Sequence, residues 1–344
     1  MIASKRFLLL TLVCTLSSVL TGQTLKAVPF DRLIPKNDVY YFLGKPYSGM
    51  SLEQYDSRKR KQILNWKNGI LHGKRISYYQ NGNTKDILYF NEGKRTDSFM
   101  FYDSKGTLRE KGFYKNDLLN GIYRKYYPNG KLYIYSSYVE GEITGPFVLF
   151  YTNGQKESEA MMLKNKKEGK FTAWYEEGNK RKEAKYKGGK LDGRIIKYYP
   201  NGDTASIEHI KNDVREGEYK IWDLTLRTLI KQENYSKGKK NGSSITYGQT
   251  GDTVLMQTYN MGILHGEFRS FQNGNIESWG TYENGKKIGM WNEGWSSHYQ
   301  QRKGNYSTGV MTGEWIFYDL EGKPLFCSIF NDQGEVTKTK KYRR

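Results

Sequence analysis

The stretch Tyr186-Lys-Gly-Gly-Lys-Leu-Asp-Gly193-Arg-Ile-Ile-Lys-Tyr-Tyr-Pro-Asn-Gly202 decides the fold. It holds two turn signals, Gly188-Gly189 and Pro200-Asn201-Gly202, with a short run rich in Ile and Tyr between them. Proline presets φ at the first turn position and glycine accepts the left-handed one, which suits a type I turn with a glycine bulge closing a hairpin. The six to eight residues between turns, rich in aromatic and β-branched side chains, read as a strand. Gly and Asn every dozen residues would end any helix, so an α-solenoid is excluded.

Working outward from Gly193, the same pattern recurs along the chain. The anchor glycine aligns with Gly49, Gly73, Asp97, Gly121, Gly145, Gly169, Gly217, Gly242, Gly266, Gly289 and Gly313, spaced by 24 residues seven times and then by 25, 24, 23 and 24. Five residues after the anchor the side chain is aromatic in ten of twelve units, as at Tyr126, Trp174 and Tyr198. A late position holds Trp66, Phe90, Tyr114, Tyr138, Tyr186, Tyr235, Tyr259, Tyr282, Tyr306 and Phe330, with Met162 and Ile210 as aliphatic exceptions. A fixed period of this length is the signature of a repeat architecture. The expectation is an all-β protein, an elongated single-layer antiparallel meander of about twelve 24-residue β-hairpin repeats. Cross-strand ladders of Tyr, Trp and Phe would supply its burial.

The pattern Tyr-x-Asn-Gly-x-x-x-Gly-x-Phe/Tyr-x-x-Tyr/Trp-Tyr resembles the MORN repeat in its 24-residue bacterial variant, as in the YwqK-type antitoxin family. Besides the stretch around Gly193, Tyr259-Asn-Met-Gly-Ile-Leu-His-Gly266-Glu-Phe-Arg-Ser-Phe-Gln-Asn-Gly274 carries it clearly. The resemblance implies a meander of antiparallel hairpins used for binding and scaffolding, and its antitoxin label implies a protein that inhibits a partner toxin.

Composition agrees with a chain lacking a thick aliphatic core. Hydrophobic residues make up 37%, aromatics 15% with 29 Tyr, and Gly reaches 37 against 7 Pro. Residues 1–22 read as a cleaved secretory signal peptide, with Lys5 and Arg6 ahead of the apolar run from Phe7 to Leu20 and small residues at Thr21 and Gly22. Export is therefore expected, to the periplasm, outer envelope or beyond, and the formal charge of +19 becomes 19 − 2 = +17 on the mature chain. Residues 23–48 are expected to cap the first edge, residues 49–336 to form the array, and residues 337–344 to form a basic tail. Two Cys rule out a disulfide framework.

Catalytic chemistry finds no residues to carry it. His72 and His265 share one loop position eight repeats apart and cannot meet on a metal; Cys327 has no partner Cys; acidic residues are dispersed singly. The reading is therefore not an enzyme, with no cofactor and no metal. Binding is a stronger candidate, because charge departs from the average in two places. Arg58 to Arg75 carries seven positive residues and no acidic ones, and Lys164 to Lys197 carries twelve positive against five negative. Arg58, Arg60, Lys61, Lys166, Lys167, Trp174, Arg181 and Lys182 are the candidate binding residues there, weighed against a plain solvated strand face. The irregular segment Trp291-Asn-Glu-Gly-Trp295-Ser-Ser-His298-Tyr299 adds Trp291, Trp295 and His298, weighed against a bend in the sheet. The partner is expected to be a protein first, with anionic lipid or acidic polysaccharide as alternatives, and export disfavours nucleic acid.

Overall fold

The structure, a computed structural model, describes residues 27–294 and 301–342. Residues 1–22, read as a signal peptide, lie outside the described residues. The fold is all-β: among the described residues there is no α-helix, and a single 3-10 turn, Phe30–Arg32, precedes the repeats. The chain divides into two compact units, residues 1–94 and 95–344.

In the second unit successive strands pair antiparallel, as Lys156–Leu163, Lys166–Trp174 and Lys180–Lys187 do, and the short strands Leu118–Leu119 and Lys190–Leu191 pair with the same preceding strand as the longer strand after them. The last strand, Val336–Lys341, pairs with Pro324–Phe330 alone, so the sheet stays an open meander of hairpins rather than a barrel. Most of the stretch assigned to a basic tail is thus strand, and Lys338, Lys340 and Lys341 keep its free edge charged, a common defence against edge-to-edge pairing.

The two turns of a repeat differ in kind. At the first, Gly130 takes φ +80° and its N–H donates to the Tyr127 carbonyl at 2.9 Å, as a type I turn with a glycine bulge requires. At the second, both central residues are left-handed, Glu140 at φ 51° and Gly141 at φ 83°, the type I′ geometry that matches strand twist. These second turns hydrogen-bond to one another along the unit. The N–H of Gly141 donates to Leu119 O, Asn165 to Ile143 O, Gly189 to Lys167 O and Asp213 to Leu191 O, at 2.8 to 3.0 Å. Where Asn or Asp replaces the turn glycine, its side chain returns the bond: Ile143 N–H donates to Asn165 Oδ1 and Leu191 N–H to Asp213 Oδ1, both at 2.8 Å.

Each anchor glycine lies opposite the late large residue of its own hairpin, as Gly169 opposite Tyr186 and Gly313 opposite Phe330. All the anchors have positive φ, and Asp97, which stands in for glycine at φ 59°, holds that conformation with its carboxylate accepting the Ser98 N–H at 2.6 Å. Two residues after the anchor, seven of the twelve repeats set an aromatic side chain opposite a small residue across the hairpin. Phe99 faces Gly112, Tyr123 faces Ser136, Phe171 faces Ala184, Trp291 faces Gly304 and Trp315 faces Ser328. The deepest burial is here, with Phe99 1% exposed and Trp291 and Trp315 fully buried, rather than five residues after the anchor. The reason is geometric: the fifth residue sits at the bulge beside the turn, whereas the second lies mid-strand over a small neighbour. Late tyrosines complete the packing edge-on, Phe171 to Tyr186 at 5.9 Å and Tyr219 to Tyr235 at 6.1 Å between ring centres.

In the first unit, Val28–Pro29 pairs in parallel with the strand Gly49–Asp56, and Phe30, Leu33 and Tyr40 pack on Leu64 and Trp66. The hairpin Val39–Phe42 and Lys45–Pro46 turns at left-handed Leu43 and Gly44, and Gly69 N–H donates to Tyr47 O at 2.7 Å just as Gly93 does to Leu71 O at 2.9 Å. The capping segment therefore contains the second turn of an incomplete repeat.

Candidate functional site: a basic aromatic groove

The strands Lys166–Trp174, Lys180–Lys187 and Gly193–Tyr198 present a groove of about 530 Å3 on the face that carries the core aromatics. Its floor is Phe171, Ala173 and Ala205, its rings are Tyr175, Tyr186, Tyr198 and Tyr199, and its cations are Lys167, Arg181, Lys182 and Lys197. Residues two, four and six after the anchor share a face because side chains alternate along a strand, which brings Phe171, Ala173 and Tyr175 together.

Lys182 and Lys197 are cross-strand partners. Like charges in that arrangement repel. The same register position in an earlier pair of repeats holds Glu110 opposite Lys125, joined at 3.1 Å. The fold therefore accommodates an ion pair in this slot, and near Gly193 the slot holds two lysines. Burial, with Lys197 next, pushes the Lys182 ammonium below its ordinary value. Lys197 also reaches Glu208 at 3.3 Å, whereas no carboxylate among the described residues lies within 4.0 Å of the Lys167 or Lys182 ammonium.

Lys167 sits over two rings, 4.4 Å from the centre of Phe171 and 5.0 Å from that of Tyr186. Burial lowers its pKa as well. The equivalent position two residues before the anchor is Leu119, Leu191 or Leu264 in some repeats, and Arg95, Arg215, Lys240 or Lys287 in others, where the cation again lies over the late ring. Tyr175 and Tyr199 are fixed by their hydroxyls, which donate across one repeat to Tyr198 O at 2.8 Å and Trp222 O at 2.7 Å. The same tie joins Tyr127 to Phe150 O and Tyr151 to Trp174 O. The Tyr198 hydroxyl donates to Glu183 at 2.6 Å, and burial together with that carboxylate pushes its pKa up to about 12.

Of the residues singled out in the sequence, Lys167, Arg181 and Lys182 line the groove. Lys166 does not: it lies in the second turn region, with its side chain against Gly189. Trp174 is a half-buried ladder residue with Lys156 Nζ 5.7 Å from its ring centre. In the first unit, Arg58, Arg60 and Lys61 surround an exposed hairpin, where the Asp56 carboxylate accepts the Arg58 N–H and Lys61 pairs with Glu53 at 2.8 Å. The assignment of Trp291 to a binding surface is corrected: the indole is fully buried against Gly280, and its N–H donates to Thr281 O and Ile288 O at 3.2 Å. Its size suits the small residue across the hairpin, which is a packing role. Trp295 and His298 lie outside the described residues. Among the described residues no group of three His, Cys, Asp or Glu side chains is placed to hold a metal.

Sequence reasoning missed Lys197 and the three groove tyrosines 175, 198 and 199. The signal that finds them is register: the residue thirteen after one anchor faces the residue four after the next, so Lys182 predicts its neighbour at 197 once the hairpins are paired.

Fold and groove together define a protein of tandem β-hairpin repeats with a strongly cationic, aromatic stretch on its packed face. Residues 71–92, 119–140 and 167–187 match the MORN repeat variant, so the chain carries repeats of that type. No curated protein matches the sequence. Among solved structures it aligns with the TcdB2-TccC3-Cdc42 complex at 12% identity over 85% of this chain and 15% of the other, with a TM-score of 0.17. It also aligns with the Photorhabdus luminescens Tc holotoxin pore at 9% identity, over 88% of this chain and 22% of the other, with a TM-score of 0.14. The chain thus spans less than a quarter of those proteins.

Proposed function

We propose that this chain is an exported, non-enzymatic binding scaffold whose basic groove takes an anionic partner of the cell envelope. The observation that supports this reading is the Lys182–Lys197 pair, two cations set opposite each other in the slot where an earlier pair of repeats holds the Glu110–Lys125 ion pair. Of the two lysines Glu208 answers Lys197 alone, and a bound anion supplies a direct partner for Lys182. Lys167 and Arg181 flank the pair; Lys167 and Lys182 are half-buried, which weakens competition from water at those two contacts, while Arg181 and Lys197 stand exposed. The repeats provide the rigid frame: strand pairing and the stacked second turns fix the cations without cost at the moment of binding.

The test is binding of soluble anionic polymers by the mature chain. Replacing Lys167, Arg181, Lys182 and Lys197 by Gln together should weaken binding by about tenfold or more at low ionic strength, and the parent's affinity should fall steeply as salt screens the charges. Replacing Arg58, Arg60 and Lys61 by Gln should change it by less than about twofold, since they surround an exposed hairpin where Lys61 is already paired with Glu53 and no half-buried lysine accompanies them. Unchanged binding by the groove variant overturns the reading.

A further inference from the structure

We propose that the anion is carried on sugar: the groove is a subsite for an acidic polysaccharide, with Tyr175 and Tyr199 as stacking platforms and Lys182 and Lys197 as seats for its carboxylates or sulfates. This deepens the binding reading above and rests on it.

The argument starts from the order of side chains across the sheet. Tyr175 follows the strand Lys166–Trp174, Lys182 lies on the next strand, and Lys197 and then Tyr199 lie on and just beyond the strand after that. Lys182 lies on the strand between the two rings, and Lys197 faces it from the strand that leads into Tyr199, two residues before that ring. The rings occupy equivalent positions one repeat apart, so two strand spacings, roughly 10 Å, separate them. That is a span on the scale of two joined sugar residues. A chain of sugars bearing charges matches an array in which two rings one repeat apart flank the strand that carries Lys182, with Lys197 beside it.

The state of the rings narrows the class further. Both are half-buried, and both hydroxyls are committed to backbone carbonyls at 2.8 and 2.7 Å. The hydroxyls hold the rings in place and leave the ring surface as the contact. A flat apolar surface of this kind suits the C–H face of a pyranose. An acidic peptide would satisfy the cations but gains nothing from two fixed rings, and the three strands that carry the groove are paired on both sides, leaving no free backbone for strand addition. A nucleic acid stacks its bases on rings that stand open to receive them. Rings sunk in the sheet surface offer one shallow face instead.

Calorimetric titration with three probes, polygalacturonate, a sulfated glycan such as heparin, and poly-L-glutamate matched in charge, decides the matter, with single-stranded DNA titrated beside them as a control. The parent should bind at least one of the two glycans about tenfold more tightly than poly-L-glutamate, and which of the two binds tells carboxylate from sulfate, since stacking adds to charge. Tyr175→Leu with Tyr199→Leu should remove that advantage and leave the three probes alike. Tyr175→Phe with Tyr199→Phe keeps the rings and loses only the hydroxyl ties, so the preference should persist even if stability falls. Equal affinity of the parent for glycans and poly-L-glutamate overturns the carbohydrate inference while leaving the anionic groove intact. Tighter binding of single-stranded DNA than of either glycan overturns it too, and failure to bind any polyanion overturns both readings.

Discussion

Lys182 stands directly opposite Lys197 on neighbouring strands, in the slot where Glu110 and Lys125 form an ion pair at 3.1 Å. A cross-strand pair of like charges works against the sheet, and an opposite pair supports it. The repeat tolerates either because the backbone ladder and the packing of rings on small residues carry the stability. Sites that favour function at the expense of local stability are common where a partner supplies what is missing.

Lys167 makes the same point from the other side of the groove. Leucine occupies its position at Leu119 and Leu191, so Lys167→Leu should raise stability by about 0.5–1 kcal/mol, because an ammonium half-removed from water is replaced by an apolar side chain suited to the site. The same variant should bind anionic polymers more weakly. Thermal unfolding and titration on one preparation check both, and a variant that is less stable than the parent contradicts the assignment.

Glycine at the pairing position is a packing requirement in the last repeats. A Cβ on Gly304 would collide with the Trp315 indole, and one on Gly112 would come within 2.8 Å of the Phe99 ring. Gly304→Ala should therefore destabilise by roughly 1–3 kcal/mol, the usual range for overpacking. Gly202→Ala, where a Cβ meets nothing within 4 Å but φ is +92°, should cost about 1–2 kcal/mol through backbone strain alone. Calorimetry of the pair separates the causes, because pairing Gly304→Ala with Trp315→Leu should recover part of the loss and no side-chain change near Gly202 should do so.

Stability should also depend on pH through Glu233. Its carboxylate is buried, which alone would raise its pKa, but Lys240 at 2.8 Å, the Tyr235 hydroxyl at 2.7 Å and Lys231 at 3.3 Å outweigh burial and hold it below 4.5. A carboxyl lowered on folding contributes stability that is present above about pH 4.5 and is lost as pH falls through the folded value. Tyr235 works in the opposite sense: burial and Glu233 push its pKa from 10.0 to about 12, so its contribution is complete below pH 10 and is lost as pH rises through 12. Glu233→Gln should lose about 1–3 kcal/mol near pH 7, the scale of hydrogen bonds to a charged group, and should flatten both flanks. Urea unfolding midpoints from pH 3 to 11 show whether the parent's flanks are steeper than the variant's.

The period, the turns and the strands were open to reading because each depends on local chemistry. Pro128-Asn129-Gly130 and Glu140-Gly141 announce their turns in the sequence, and glycine at a fixed interval is the trace of a left-handed residue in every hairpin. The face that holds the core was harder to see. Aromatics five residues after the anchor are the most regular, yet the buried line runs through Phe99, Trp291 and Trp315, whose partners Gly112, Gly304 and Ser328 look like nothing in particular until strands are paired. The groove followed the same rule: a charge count over residues 164–197 found Lys167, Arg181 and Lys182, while Lys197 needed register. Trp291 drew attention as an aromatic in an irregular segment, and composition cannot tell an indole that faces a small residue across a hairpin from one that faces water.

The most direct measurement replaces Lys182 with Glu. Lys182→Glu recreates opposite Lys197 the arrangement that Glu110 and Lys125 already hold, so the hairpins should fold as before and unfold at the parent's temperature or above it. Titrated with polygalacturonate or with heparin at low ionic strength, the parent should bind at least one of the two with an affinity that falls as salt is added, and the variant should lose that binding by about tenfold or more. A folded Lys182→Glu protein that binds as tightly as the parent would contradict the account, because the two opposed lysines would then have no anion to hold.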